Sequence, residues 1–217
     1  MLYIVATPIG NLKDISLRAI ETLKSVDIIA CEDTRHTKIL LDNFNISKPL
    51  TSFFQHNRFT KGEYLLELLK NGKDIALVSD AGTPGILDPG YNLINLVIKN
   101  DIPFTIIPGP SAFINALVLS GKPAHEFHFA GFLSNKKSAR KKKLVELKGY
   151  SCTIIFYESS HRILSTLGDI NEVFGDKEIV LARELTKKFE EVIRDHPKNI
   201  IQKLQETKPR GEFVVVI

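Results

Sequence analysis

The sequence predicts an α/β fold arranged as two domains. Three observations carry that expectation. Short apolar runs alternate with helical patterns through the first half, the order that builds a mostly parallel sheet with crossover helices. The pattern restarts near Ser120-Gly121-Lys122-Pro123, which divides the chain into 1–118 and 119–217. The 217 residues are 43% hydrophobic and 25% charged, ordinary globular values with enough apolar chain for a core in each half.

In the first half, strand-like runs fall at 2–6, 26–31, 75–79 and 103–107. Helical patterns fall at 16–24, 34–44, 60–71, 90–100 and 111–120. The second half opens with the alternating run Phe127-His128-Phe129-Ala130-Gly131-Phe132, period two as a strand requires. A lysine-rich helix follows at 137–148, then strand 152–157, helix 160–173, strands 178–182 and 188–194, helix 198–206 and strand 212–217. This sheet is expected to be mixed. No repeat of fixed period interrupts the chain.

Cys31 and Cys152 both lie inside apolar runs and read as reduced core thiols of a cytoplasmic protein. The run after Met1 is stopped by Pro8 and Gly10, far short of a membrane span. His125 and His128 stand two apart on a strand-like run without further ligands, so no metal site is expected. Residues 136–143, K-K-S-A-R-K-K-K, hold six basic groups against a net charge of +4 for the whole chain. The remainder is therefore net negative, and the positive field is local. Such a patch suits a polyanion.

Three first-half strands run into loops of one character: Thr7-Pro8-Ile9-Gly10-Asn11, Ser79-Asp80-Ala81-Gly82-Thr83-Pro84-Gly85-Ile86-Leu87-Asp88-Pro89-Gly90, and Pro108-Gly109-Pro110-Ser111-Ala112. In a parallel sheet all three share the carboxyl edge, where open α/β sheets bind ligands. Neither glycine-rich phosphate fingerprint occurs. The middle loop instead carries Asp80 and Asp88 without an intervening cation. Carboxylates repel phosphate and favour a cationic ligand with donors, such as S-adenosylmethionine. Asp88 before Pro89 also reads as a turn former, and Asp80 as an Asx turn.

These loops, with Glu32-Asp33-Thr34-Arg35-His36-Thr37, Phe156-Tyr157-Glu158-Ser159-Ser160-His161-Arg162 and Leu181-Ala182-Arg183-Glu184-Leu185-Thr186-Lys187, resemble the ribosomal RNA small-subunit methyltransferase I family of the tetrapyrrole-methylase-like superfamily. The match runs in order over essentially the whole chain. The resemblance implies two α/β domains of the tetrapyrrole-methylase type with S-adenosylmethionine in the cleft between them. It implies a homodimer that methylates the ribose 2′-hydroxyl of a cytidine, position 1402, in the decoding region of 16S rRNA on the 30S subunit. Pro8, Gly10, Asp80, Ala81, Gly82, Thr83, Pro84, Ser111, Ala112, Phe132 and Leu133 would line the cofactor pocket, and Ala182 would close it, largely through backbone. Family members continue past the strand matching Gly211–Ile217 into a small helical domain. This sequence stops at Ile217: either that domain is absent or the sequence is a shortened form, and in both cases RNA grip rather than the cofactor pocket is expected to be affected.

A ribose hydroxyl needs a proton acceptor, and acid–base clusters follow three strands. Glu158 and Asp33 are the candidate bases, with Arg35 beside Asp33; each acid also reads as a helix-terminal charge or an ion-pair partner. Lys136, Lys137, Arg140, Lys141, Lys142 and Lys143, with Arg162, Arg183 and Lys187, are candidates for RNA phosphate. Phe53, Phe54 and Phe59 read as core, with base stacking beside His56 the alternative. Two other functions fit the wider superfamily: methylation of a small precorrin-like polyanion, and a non-catalytic RNA-binding relative.

Overall fold

The computed structural model describes residues 1–207 and 209–217. The chain forms two compact units, Met1–Ser111 and Ala112–Ile217. The division comes one helix earlier than the sequence pattern suggests. Helix Ala112–Ser120 packs on strands of the second unit, a tertiary choice that local periodicity does not encode.

In the first unit, β1 (Leu2–Val5), β2 (Ile28–Cys31), β3 (Leu50–Ser52), β4 (Ile75–Leu77) and β5 (Phe104–Ile107) alternate with α1 (Leu17–Ser25), α2 (Thr34–Asn43), α3 (Arg58–Lys70) and α4 (Gly90–Lys99). The sheet order is β3-β2-β4-β1-β5 and every pairing is parallel. Period-two alternation sends Val5, Ile29, Cys31 and Ala76 to one face, with Leu23, Leu40 and Leu41. It sends Leu2, Ile4, Ala30 and Leu77 to the other, with Leu65, Leu93 and Val97. Both faces are covered, which is why these strands read as unbroken apolar runs. β3 escapes the sequence pattern. It is three residues long on the sheet margin, and Leu50 and Ser52 are only half-buried.

The second unit begins with α5 (Ala112–Ser120). It continues through β6 (Phe127–Phe132), α6 (Lys137–Lys148), β7 (Thr153–Ser159), α7 (Ile163–Phe174), β8 (Ile179–Arg183), β9 (Glu191–Asp195), α8 (Pro197–Thr207) and β10 (Glu212–Val216). The order is β6-β7-β10-β8-β9, with β6 parallel to β7 and the other pairings antiparallel. One core joins Leu144, Leu147, Leu167, Ile170, Ile200 and Leu204 of the helices to Ile154, Phe156, Leu181 and Val215 of the sheet. Each such buried side chain contributes roughly 1.5–3 kcal/mol. Among the described residues no helix is long and apolar enough to cross a membrane.

Candidate active site

Because β1, β2, β4 and β5 are parallel, the segments that leave them emerge at one edge of the first sheet. The loops after β1 and β4 are tied together there. Thr7 and Gly82 form an antiparallel bridge, N to O at 2.9 Å and 3.0 Å. The Thr7 hydroxyl donates to the Ser79 carbonyl at 3.1 Å. Gly82 has φ +82°, a conformation side chains resist. A Cβ there would meet Ile9 Cγ2 and the Pro110 carbonyl, each at 3.6 Å, so this glycine sits where all three loops converge. Gly109 is tighter: a Cβ would lie 2.9 Å from Ala6 Cβ. Pro8, Gly82 and Pro84 are buried, Thr83 and Ser111 half-buried, and Gly10 and Ala81 exposed.

The carboxylates at this edge differ in employment. Asp88 accepts the amides of Gly85 at 2.8 Å and Gly90 at 2.7 Å and shapes the turn, so its turn-forming role accounts for it. Burial pushes its carboxyl up, while those amides pull it down. Asp80 accepts the Asp33 amide at 3.2 Å, joining the loops after β4 and β2. Glu32 is half-buried; burial first, then Asp88 and Asp80, push its proton affinity above the ordinary carboxylate value. Asp33 caps α2 through the Arg35 amide at 2.8 Å and pairs with the Arg35 guanidinium at 2.8 Å. That hydrogen bonding holds it well below the usual carboxylate range, which makes it a weak proton acceptor. Arg35 is almost fully exposed.

The second-unit candidates are placed by its own packing. Glu158 lies inside β7 rather than after it, 1% exposed. Its carboxylate is occupied by Arg162 at 2.7 Å, the Thr166 hydroxyl at 2.7 Å and the Ser159 amide at 2.8 Å. It acts as an anchor between β7 and α7, not as an open base. Arg162 also donates to the Leu133 carbonyl at 3.2 Å. Leu133 and Ala182 are buried in the unit, main chain included, while Phe132 is 57% exposed beside Tyr157. Burial pushes the Tyr157 phenol up to about 12. Ala112 is half-buried at the start of α5.

The basic cluster divides. Arg140 is 2% exposed and locked to Asp169 at 2.6 Å and to Ser165 at 2.8 Å, so it is a structural residue and no phosphate ligand. Lys141 pairs with Glu172, and Lys143 with Glu146 at 2.6 Å. Lys137 stands 3.9 Å from Asp169. Lys136 and Lys142 are exposed and have no acidic partner among the described residues. Arg183 pairs with Glu191 at 2.7 Å and Lys187 with Glu184 at 3.1 Å.

Comparison with known proteins decides the family. The family model of tetrapyrrole (corrin/porphyrin) methylases matches residues 1–200. The ribosomal RNA small subunit methyltransferase I of Thermotoga maritima is 47% identical over the whole chain and 97% of its own length. The enzyme of that name from Bacillus subtilis is 48% identical over the whole chain and 74% of its own length. The chain belongs to the ribosomal RNA small subunit methyltransferase I family, among the tetrapyrrole methylases. The fold of these methylases is shared more widely. A diphthine synthase superposes with a TM-score of 0.74 at 16% identity, over 100% of this chain and 88% of its own. A uroporphyrin-III C-methyltransferase from Thermus thermophilus gives 0.69 at 19% identity, over 99% and 93%.

Within this methyltransferase fold, a small open cavity lies beside the bridge, lined by Thr7, Pro8, Leu12, His36, Thr37, Leu40, Ser79 and Asp80. Pro8 and Asp80 are sequence candidates. Leu12, Thr37 and Leu40 are not, because their apolar or capping character is indistinguishable from core until α2 is seen to close over the first loop. Glu32 was legible only as one of several acids; its environment sets it apart.

Proposed function

We propose that this protein is an S-adenosylmethionine-dependent ribosomal RNA methyltransferase that methylates a cytidine ribose 2′-hydroxyl of 16S rRNA at the decoding centre. The observation that carries the reading is full-chain identity of 46–48% to several proteins named ribosomal RNA small subunit methyltransferase I. The edge of the first sheet fits the donor. Gly82, bridged to Thr7, keeps the gap beside Ile9 and Pro110 free of a side chain at a positive φ that side chains resist. Glu32 and Asp80 make the surroundings attractive to a cation. Pro8, Gly10, the segment Asp80–Pro84 and Ser111 are the groups of the first unit we assign to hold it. When bound, the donor supplies an electrophilic methyl on a sulfonium.

The protein's own task is to align a hydroxyl and accept its proton. Alignment is worth several kcal/mol, up to roughly 7–11. We assign the proton to Glu32 in place of Asp33 and Glu158, which are committed to Arg35 and Arg162 at 2.8 Å and 2.7 Å. Glu32 follows β2 at the same sheet edge with its carboxyl raised by burial, and a positioned base is worth about 10²–10⁴-fold. Lys136 and Lys142 are the cations we assign to RNA phosphate. Cytoplasmic location accords with a ribosomal substrate. Self-association as a homodimer belongs to the same reading. The deciding experiment supplies labelled S-adenosylmethionine with 30S particles lacking ribose methylation and maps the labelled nucleotide. Label on a base, or transfer to a precorrin-like acceptor instead, would overturn the assignment.

A further inference from the structure

The sequence read Phe53, Phe54 and Phe59 as core. The structure splits them: Phe53 is 1% exposed, but Phe54 is 38% and Phe59 72% exposed. The reason is β3. It pairs in parallel with β2, Cys31 opposite Ser52, and the Phe53 amide donates to the Cys31 carbonyl at 2.7 Å. Phe53 therefore continues the strand into the core, and the chain then turns out at the carboxyl edge beside Glu32 and Asp33. Asn57 holds that turn, accepting the Phe54 amide at 2.8 Å and donating to the Ser52 carbonyl at 3.1 Å.

The projecting surface is aromatic and basic together. Phe54 meets His56 edge-on with centroids 6.1 Å apart. The Arg58 guanidinium lies 4.7 Å from the Phe59 ring centre, and the Lys61 ammonium 5.0 Å from that of Tyr64, itself 47% exposed. Arg58 is half-buried, its Nε enclosed without a hydrogen-bond partner among the described residues and its Nη1 donating to the Gln55 carbonyl at 3.3 Å, so the ring-facing side of the guanidinium is what it presents. Glu63 is the one acid between Phe53 and Tyr64. Nothing in the donor site or the α6 cluster uses these groups.

We propose that this surface is a stacking platform for unpaired nucleotides of the RNA substrate. Resting on the ribosomal RNA reading, it locates where single-stranded RNA is held beside the methyl-transfer edge. Exposed rings and a flat guanidinium offer faces to splayed bases, and Arg58 and Lys61 offer charge to the backbone. The interleaved cations add to the rings an attraction for phosphate that a purely apolar face lacks.

The chain contains no tryptophan, so Phe59→Trp installs a single reporter on the platform. Single-stranded oligocytidylate of about ten nucleotides should quench its fluorescence, with affinity close to that of wild type. Phe59→Ala, at an exposed position, should bind the same oligonucleotide on the order of tenfold more weakly and methylate 30S particles correspondingly less, with calorimetric uptake of S-adenosylmethionine unchanged. Arg58→Ala should act in the same direction. Fluorescence unmoved by saturating RNA, or equal affinities for wild type and Phe59→Ala, would overturn the proposal. So would a fluorescence change that follows protein concentration rather than RNA, which would make the patch a self-association surface. If wild type methylates 30S particles and Phe59→Ala matches it, the platform alone falls. If wild type takes up S-adenosylmethionine but neither binds RNA nor methylates it, the ribosomal RNA reading falls and the platform with it.

Discussion

At Gly82, backbone conformation and ligand access meet in one atom that is absent. With φ +82°, a β-branched residue suffers strain of about 1–3 kcal/mol and also fills the gap beside Ile9 and Pro110. Gly82→Val should therefore lower thermal stability modestly and abolish calorimetric uptake of S-adenosylmethionine while circular dichroism stays native. Undiminished uptake by a folded variant would remove that loop from the donor site. Glu32 gives a pH test. Its carboxyl is raised in the folded protein by burial and by Asp88 and Asp80. Between its unfolded and folded proton affinities the native state binds more protons, so its contribution to stability falls as pH rises. Glu32→Gln should thus be more stable than wild type at neutral pH. The difference should shrink as pH falls through the raised folded value and be gone below the ordinary glutamate value of about 4.3. If Glu32 is the base, the variant should also lose the acidic limb of the methylation pH profile. Melts that do not diverge with rising pH would discard the environment inferred for this residue.

Helix α6 shows why one run of charges is not one functional unit. Residues three and four apart share a helix face, so the run from Lys136 to Lys143 points in several directions at once. Arg140 turns inward to Asp169 on α7 while Lys136 and Lys142 remain outside. Removing one member of a buried pair leaves the other charge stranded, at a cost of roughly 3–5 kcal/mol. Arg140→Ala should lower the unfolding midpoint in urea accordingly. Lys136→Ala with Lys142→Ala should leave that midpoint almost unchanged and weaken RNA instead. A double lysine variant as unstable as Arg140→Ala would refute this partition.

For the protein as a whole, affinity for RNA is expected to be electrostatic and salt-dependent. Each phosphate contact removed should reduce the slope of log affinity against log salt by about 0.7 on single strands and 0.9 on duplex. The double lysine variant should therefore flatten the slope by between about one and two units, read by filter binding across a salt series. An unchanged slope would move the phosphate contacts elsewhere. Redox state should matter little. Cys31 and Cys152 are free thiols, and burial raises the Cys31 thiol above its ordinary value. Melting curves with and without reductant should coincide.

Local sequence by itself determined most of the framework. Apolar runs and their breakers placed β1, β2, β4, β5 and the helices between them. The Lys137–Lys148 helix was legible to its ends, and the glycine–proline loops marked the edge where they cluster. Family membership was written in ordered motifs along the whole chain. The tertiary structure decided the employment of each side chain. Asp88 became a turn brace, Glu158 an anchor and Arg140 a buried ion-pair partner. Phe53 went into the core while Phe59 went out to solvent. Those outcomes depend on which groups from distant elements lie within a few ångströms. Burial and partnership are set by packing, whereas periodicity along a chain reports only which face each residue occupies.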